Sequence, residues 1–165
     1  MKERFFPALL MLASLGECGA VSVKTSIDVQ AEVNTSVRIY VDGNDVTNGA
    51  FSLKLEDKEG YLTAITPVLK FIGNASSVSL SLTSPPNSSL ISENGDAMRI
   101  NTLWVRANGG GSTTGAPYNN LPVYASLSEA PETGPRVSFT SSSRSETYPL
   151  GLYSGTWEVI VTPSV

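Results

Sequence analysis

The chain has 165 residues, 41% of them hydrophobic and 16% charged, with a formal net charge of -4. That composition suits one compact domain with a sizeable core and excludes a disordered polyelectrolyte. A net negative charge with no long basic run also removes the electrostatic footprint that DNA or RNA binding requires, so nucleic acid is not an expected partner.

Residues 1–20 have their own pattern: Lys2 and Arg4, an apolar run from Phe5 to Leu15, then Cys18-Gly19-Ala20. This reads as a secretory signal peptide cleaved after Ala20, the apolar run being too short to span a bilayer. Glu17 occupies the position where a lipoprotein signal wants a small residue, which argues against lipid attachment at Cys18. Cys18 is the single cysteine, so the exported part has no disulfide and must be held by its core and its strand ladders.

From Val21 to Val41 every odd position is Val, Ile, Ala or Thr, and most even positions are polar. Successive side chains of a strand point to opposite faces, so this alternation predicts extended chain with one apolar face. A single strand of that length would run about 70 Å, beyond the usual 3 to 10 residues, and the turn-favouring cluster Asn34-Thr35-Ser36 is the expected break. Periodicity alone leaves two readings open for residues 21–33: an ordinary strand of its own domain, or a strand that seeks a sheet elsewhere.

Asp42-Gly43-Asn44-Asp45 is a tight-turn signature; a calcium loop would need further oxygen ligands and a closing Glu, which Val46-Thr47-Asn48-Gly49 does not supply. Phe51, Leu53 and Leu55 alternate next, and the charged Glu56–Gly60 run reads as a solvated loop. Tyr61 to Phe71 is β-rich but carries Pro67, which predicts an edge strand or a bulge. Ser77 to Thr83 alternates apolar residues with Ser or Thr, and Met98, Ile100, Thr102 and Trp104 share one parity, giving two further strands. Ala107 to Asn120 is Gly-rich but lacks the Lys and the strand-to-helix context of a phosphate loop, so it reads as a flexible surface loop. Short runs at Leu121–Leu127, Arg136–Thr140 and Thr147–Leu150 follow, and Gly155–Thr162 closes the chain as a strand. No uninterrupted helical period occurs, and the whole predicts an all-β, immunoglobulin-like β-sandwich of roughly seven to nine strands.

With no histidine and no cysteine after residue 20, the commonest general base, thiol nucleophile and metal ligands are absent together. Asp28, Glu32, Glu93, Glu129 and Glu158 are scattered, and the serines sit in no Gly-x-Ser-x-Gly elbow. The expectation is a protein that is not an enzyme and carries no cofactor or metal. Asn-X-Ser/Thr triplets at Asn34, Asn74 and Asn87 reflect the abundance of these residues rather than glycan sites.

Ile27-x-Val29-x-Ala31-x-Val33 following a signal peptide, the Asp42-Gly43-Asn44 turn, Phe51-Ser52-Leu53-Lys54-Leu55, and the ending Tyr153-Ser154-Gly155-Thr156-Trp157-Glu158-Val159-Ile160-Val161-Thr162 resemble the major subunits of alpha-class, colonisation-factor-type chaperone-usher fimbriae. The resemblance implies an incomplete immunoglobulin-like pilin domain over residues 34–165, completed by a donor strand from a neighbouring subunit. Residues 21–33 would be the N-terminal extension that is donated, with Val23, Ile27, Val29, Ala31 and Val33 as its contacts and Asn34 and Thr35 as a hinge. At Asn34-Thr35 the chain departs from relatives, which tend to carry Asp-Pro. Implied partners are identical or related pilins, a periplasmic chaperone, an outer-membrane usher, a tip adhesin and a host-cell receptor, and the implied location is a fimbria on the bacterial surface. The competing reading is a self-contained, secreted lectin-like binding module using Tyr118, Tyr124 or the Gly-rich loop.

Overall fold

The computed structural model describes residues 22–165, so the expected signal peptide, its cleavage after Ala20, Cys18 and the first arm residue lie outside the described residues. The chain divides into two units, Met1–Val33 and Asn34–Val165. Within the first, residues 22–33 enter no strand or helix, and all of them are exposed.

The second unit is all-β. Its thirteen strands are β1 Val37–Val41, β2 Asn44–Asp45, β3 Glu56–Lys58, β4 Tyr61–Ile65, β5 Leu69–Gly73, β6 Ser77–Thr83, β7 Ser89–Ser92, β8 Ala97–Val105, β9 Gly111–Thr113, β10 Tyr118–Pro122, β11 Arg136–Ser141, β12 Tyr153–Ser154 and β13 Glu158–Ser164. The count exceeds the expected number because β2, β3, β9 and β12 are pieces of two or three residues. Short 3-10 turns at Pro86–Ser88 and Ser145–Thr147 are the helical elements among the described residues.

The strands form a sandwich. One side carries the orders β2-β1-β5 and β10-β6-β13, and the other carries β12-β7-β8-β11-β4-β3 with β9 paired to β8. The first two sheets are stitched where Tyr124 bridges Ile72: the Tyr124 N–H donates to the Phe71 carbonyl and the Gly73 N–H to the Tyr124 carbonyl, both at 2.9 Å. Alternation decides what is buried. Leu69 and Phe71 of β5, Val78 and Leu80 of β6, Met98, Ile100 and Trp104 of β8, and Val137 and Phe139 of β11 meet in one core. The Trp104 indole N–H donates to the Ala116 carbonyl at 3.2 Å, so this fully buried ring keeps its polar atom satisfied.

Four local expectations change. The charged run is not a loop, because Glu56–Lys58 is an exposed edge strand on β4, closed by Glu59 and Gly60, both at positive φ as a type I′ hairpin requires. Charges belong on such an edge, where they discourage pairing with other chains. Pro67 marks neither an edge strand nor a bulge but the crossing from one sheet to the other. The Thr66 N–H donates to the Val137 carbonyl and its hydroxyl accepts from the Val137 N–H, both at 2.9 Å, after which the chain leaves for β5. Finally, the Gly-rich segment is partly ladder: residues 106–110 turn the chain back, and Gly111–Thr113 pairs with Leu103–Val105. Thr147–Leu150 forms no strand.

Candidate functional site

The candidate site is an unpaired strand edge. β13 pairs with β6 in register from Glu158 opposite Thr83 to Ser164 opposite Ser77, and it is the last strand of its sheet, so its other edge has no partner among the described residues. Trp157, Val159 and Val161 face the core yet remain half-buried. Residues 51–55 repeat the condition. Phe51, Leu53 and Leu55 keep strand-like alternation, Leu53 and Leu55 pack on the core, and the segment enters no ladder. Phe51 is 40% exposed. The Trp157 ring stands edge-on to Phe139 at 5.3 Å between centroids, with its indole nitrogen buried and unpaired.

Near the end of β13 the unpaired edge opens into a cleft of about 740 Å³ whose lining includes Thr35, Val37, Arg38, Asp45, Thr47 and Pro163. One wall is polar and rigid. The Arg38 guanidinium meets the Asp45 carboxylate at 2.7 Å, and the Thr47 N–H donates to Asp45 at 2.9 Å. The Thr47 hydroxyl and amide, with the Arg38 guanidinium, hold the Asp45 carboxyl down to about 2. The cleft thus has a charge-paired rim, and Pro163 of β13 is part of its lining.

Of the residues expected to form a donated strand, Val23, Ile27, Val29 and Val33 are 91%, 81%, 85% and 83% exposed. Ala31 is exposed as well. They all stand at odd positions, as do Trp157, Val159 and Val161, and in a strand such alternate residues share one face with a repeat of about 6.6 Å. Asn34 and Thr35 open the second unit, and Thr35 lines the cleft.

The sequence marks Asn74 only as the start of an Asn-X-Ser triplet and gives no sign of its backbone contacts. Its side-chain oxygen accepts from the Ser36 N–H at 2.7 Å, its side-chain nitrogen donates to the Asn34 carbonyl at 3.1 Å, and its own N–H donates to the Ser36 carbonyl at 3.1 Å. The available signal was the Gly73-Asn74 pair at a strand end, one of two Gly-Asn pairs in this chain.

The alternative binding residues are also brought together. Tyr118, Asn120, Tyr124, Lys70 and Pro135 line a second cleft of about 330 Å³. Arg106 stacks over the Tyr118 ring at 5.7 Å, and Lys70 is paired with Glu132 at 2.9 Å. Among the described residues no three His, Cys, Asp or Glu side chains gather as a metal site, and no helix is long and apolar enough to cross a membrane.

No family model matches the sequence, and neither does any curated protein. Among solved structures, the chain is similar to one from a chaperone–tip adhesin complex described as vital for synergistic activation of CFA/I fimbriae biogenesis. The match has 18% sequence identity and a TM-score of 0.45, and covers 78% of this chain and 42% of that one. This chain therefore spans less than half of the length of that neighbour.

Proposed function

We propose that the protein is a structural subunit of a chaperone-usher fimbria, polymerising head to tail when residues 21–33 of one copy complete the sandwich of the next. The observation that carries this reading is the coexistence, in one chain, of an exposed alternating apolar row without a ladder and a core strand, β13, without a neighbour on one edge. An unpaired edge over a half-buried apolar row is a template for an added strand. Burying Ile27, Val29 and Val33 contributes about 1.5 to 3 kcal/mol each before ordering costs, and each ladder bond adds about 0.5 to 1.5 kcal/mol. Export through the periplasm, a chaperone that covers the edge until assembly, an usher, a tip adhesin and a place on the bacterial surface belong to the same reading, which assigns the chain no catalysis.

Producing residues 21–165 with and without residues 21–33 tests it. The full chain polymerises or misfolds without a chaperone, and the trimmed chain, which cannot polymerise, is stabilised by an added peptide of residues 21–33. A trimmed chain that is as stable alone as with the peptide contradicts the proposal.

The cleft holding Tyr118 and Tyr124 favours a second reading, a glycan-binding module. A monomer that binds sugars on an array and loses that binding in Tyr124→Ala would replace the first reading.

A further inference from the structure

Three backbone-directed hydrogen bonds from one exposed asparagine are an unusual investment at the end of a ladder. β1 and β5 pair from Val41 opposite Leu69 to Val37 opposite Gly73, where the ladder stops. Asn74 then continues it: its backbone N–H donates to the Ser36 carbonyl, while its side chain accepts from the Ser36 N–H and reaches past Thr35 to donate to the Asn34 carbonyl. Gly73 makes the approach possible: a Cβ there would stand 2.0 Å from the Ser36 carbonyl oxygen and 2.9 Å from the Val37 Cα. Asn34 to Ser36 are all exposed, so the grip adds little apolar burial and its main effect is to fix backbone.

We propose that Asn74, seated by Gly73, is the positioning residue for assembly: it clasps Asn34–Ser36 so that the donated arm starts from a rigid root and swivels only before Asn34. This rests on the donor-strand reading above and adds to it the residue that limits how much freedom an arm loses when it enters a neighbour. Ordering fewer residues at capture leaves more of the binding free energy for association. Thr35 and Ser36 also line the cleft beside Pro163, so the clasp fixes backbone at the mouth of the open edge.

The test uses the full chain, residues 21–165, with three readouts: amide hydrogen exchange at Ser36, polymerisation rate, and melting shift on adding a peptide of residues 21–33. In Asn74→Ala the Ser36 amide loses protection and polymerisation slows about fivefold to tenfold, while the peptide still raises the melting temperature as in the wild type. Asn74→Asp keeps the acceptor for Ser36 but not the donor to Asn34. It retains Ser36 protection and polymerises at an intermediate rate, a graded rescue that a merely structural role would not give. Equal Ser36 exchange in wild type and Asn74→Ala overturns the clasp, and so does raised exchange with an unchanged polymerisation rate. A wild-type chain that neither polymerises nor responds to the peptide overturns the donor-strand reading itself, and with it the role of the clasp, even where Ser36 is protected.

Discussion

β6 and β13 are written in nearly the same pattern and lie side by side, yet they are buried differently. Val78 and Leu80 of β6 are fully buried, whereas Val159 and Val161 of β13 are half-buried although Val161 sits directly opposite Leu80. The difference is neighbours. β6 has β10 on one edge and β13 on the other, while β13 has β6 alone. Alternation says which face of a strand is apolar, but the strand on either side decides whether that face is closed over. The half-burial of β13 goes with its having a partner on one edge only among the described residues.

The largest break in this comparison comes from the arm. Val29→Asp places a charge in the row that would lie against β13, and an unpaired buried carboxylate costs several kcal/mol. Capture of a 21–33 peptide bearing this change, and polymerisation of the full chain bearing it, should fall below detection, while unpolymerised chain, in which Val29 is 85% exposed, unfolds within about 0.5 kcal/mol of wild type. Melting of the mutant chain and of peptide mixtures by circular dichroism separates the two effects.

The core side gives the next largest effect. Leu80→Ala removes a side chain with 0% exposure and should cost about 2 to 5 kcal/mol in urea unfolding, whether or not the peptide is present. Val161→Ala should cost about 1 kcal/mol in the chain alone and more once the peptide covers it. Equal costs for Val161→Ala with and without peptide would deny that β13 gains a neighbour.

A smaller effect belongs to the hairpin between β3 and β4. Gly60 sits at φ +89, and a Cβ there would meet the Arg144 guanidinium at 2.2 Å. Gly60→Ala should cost about 1 to 3 kcal/mol in thermal unfolding without changing peptide capture, since this edge lies on the other layer.

The smallest effect is electrostatic. The Asp45 carboxyl is held at about 2 against an ordinary value of 3.8, chiefly by Thr47 and then by Arg38. A lowered folded-state value means that the stabilisation is fully present above the ordinary value and is lost as pH falls toward 2. The melting temperature of Asp45→Asn should lie below wild type at neutral pH, with a gap that closes between about pH 4 and pH 2. Asp45 is on the surface, so the gap is small and shrinks in salt.

Much of this architecture was legible in the residues. β6, β8 and the Val37–Val41 strand follow directly from period-two alternation, and the Asp42-Gly43 turn has both residues at positive φ. What stayed hidden was set by partners rather than by local pattern. Phe51, Leu53 and Leu55 alternate as a strand does but have no ladder to join, while Glu56–Lys58, without an apolar face, forms a strand because a hairpin presents β4 to it. Glycines concealed β9, whose pairing comes from the turn at residues 106–110. The exposed arm row was visible at once. The Asn74 grip was not, since a side chain that bonds backbone 38 and 40 residues away leaves no periodic trace.

The central claim is that β13 waits for a strand. Amide hydrogen exchange along Glu158–Ser164, followed before and after adding a peptide of residues 21–33 to the chain trimmed of those residues, tests it most directly. The expected result is that the alternate amides on the unpaired edge of β13, open at first, become protected on peptide addition, while those of β11, paired with β8 from Arg136 to Ser141 and with β4 from Ser138 to Thr140, stay as they were. A β13 whose amides are all protected beforehand, or whose exchange is untouched by the peptide, would contradict it.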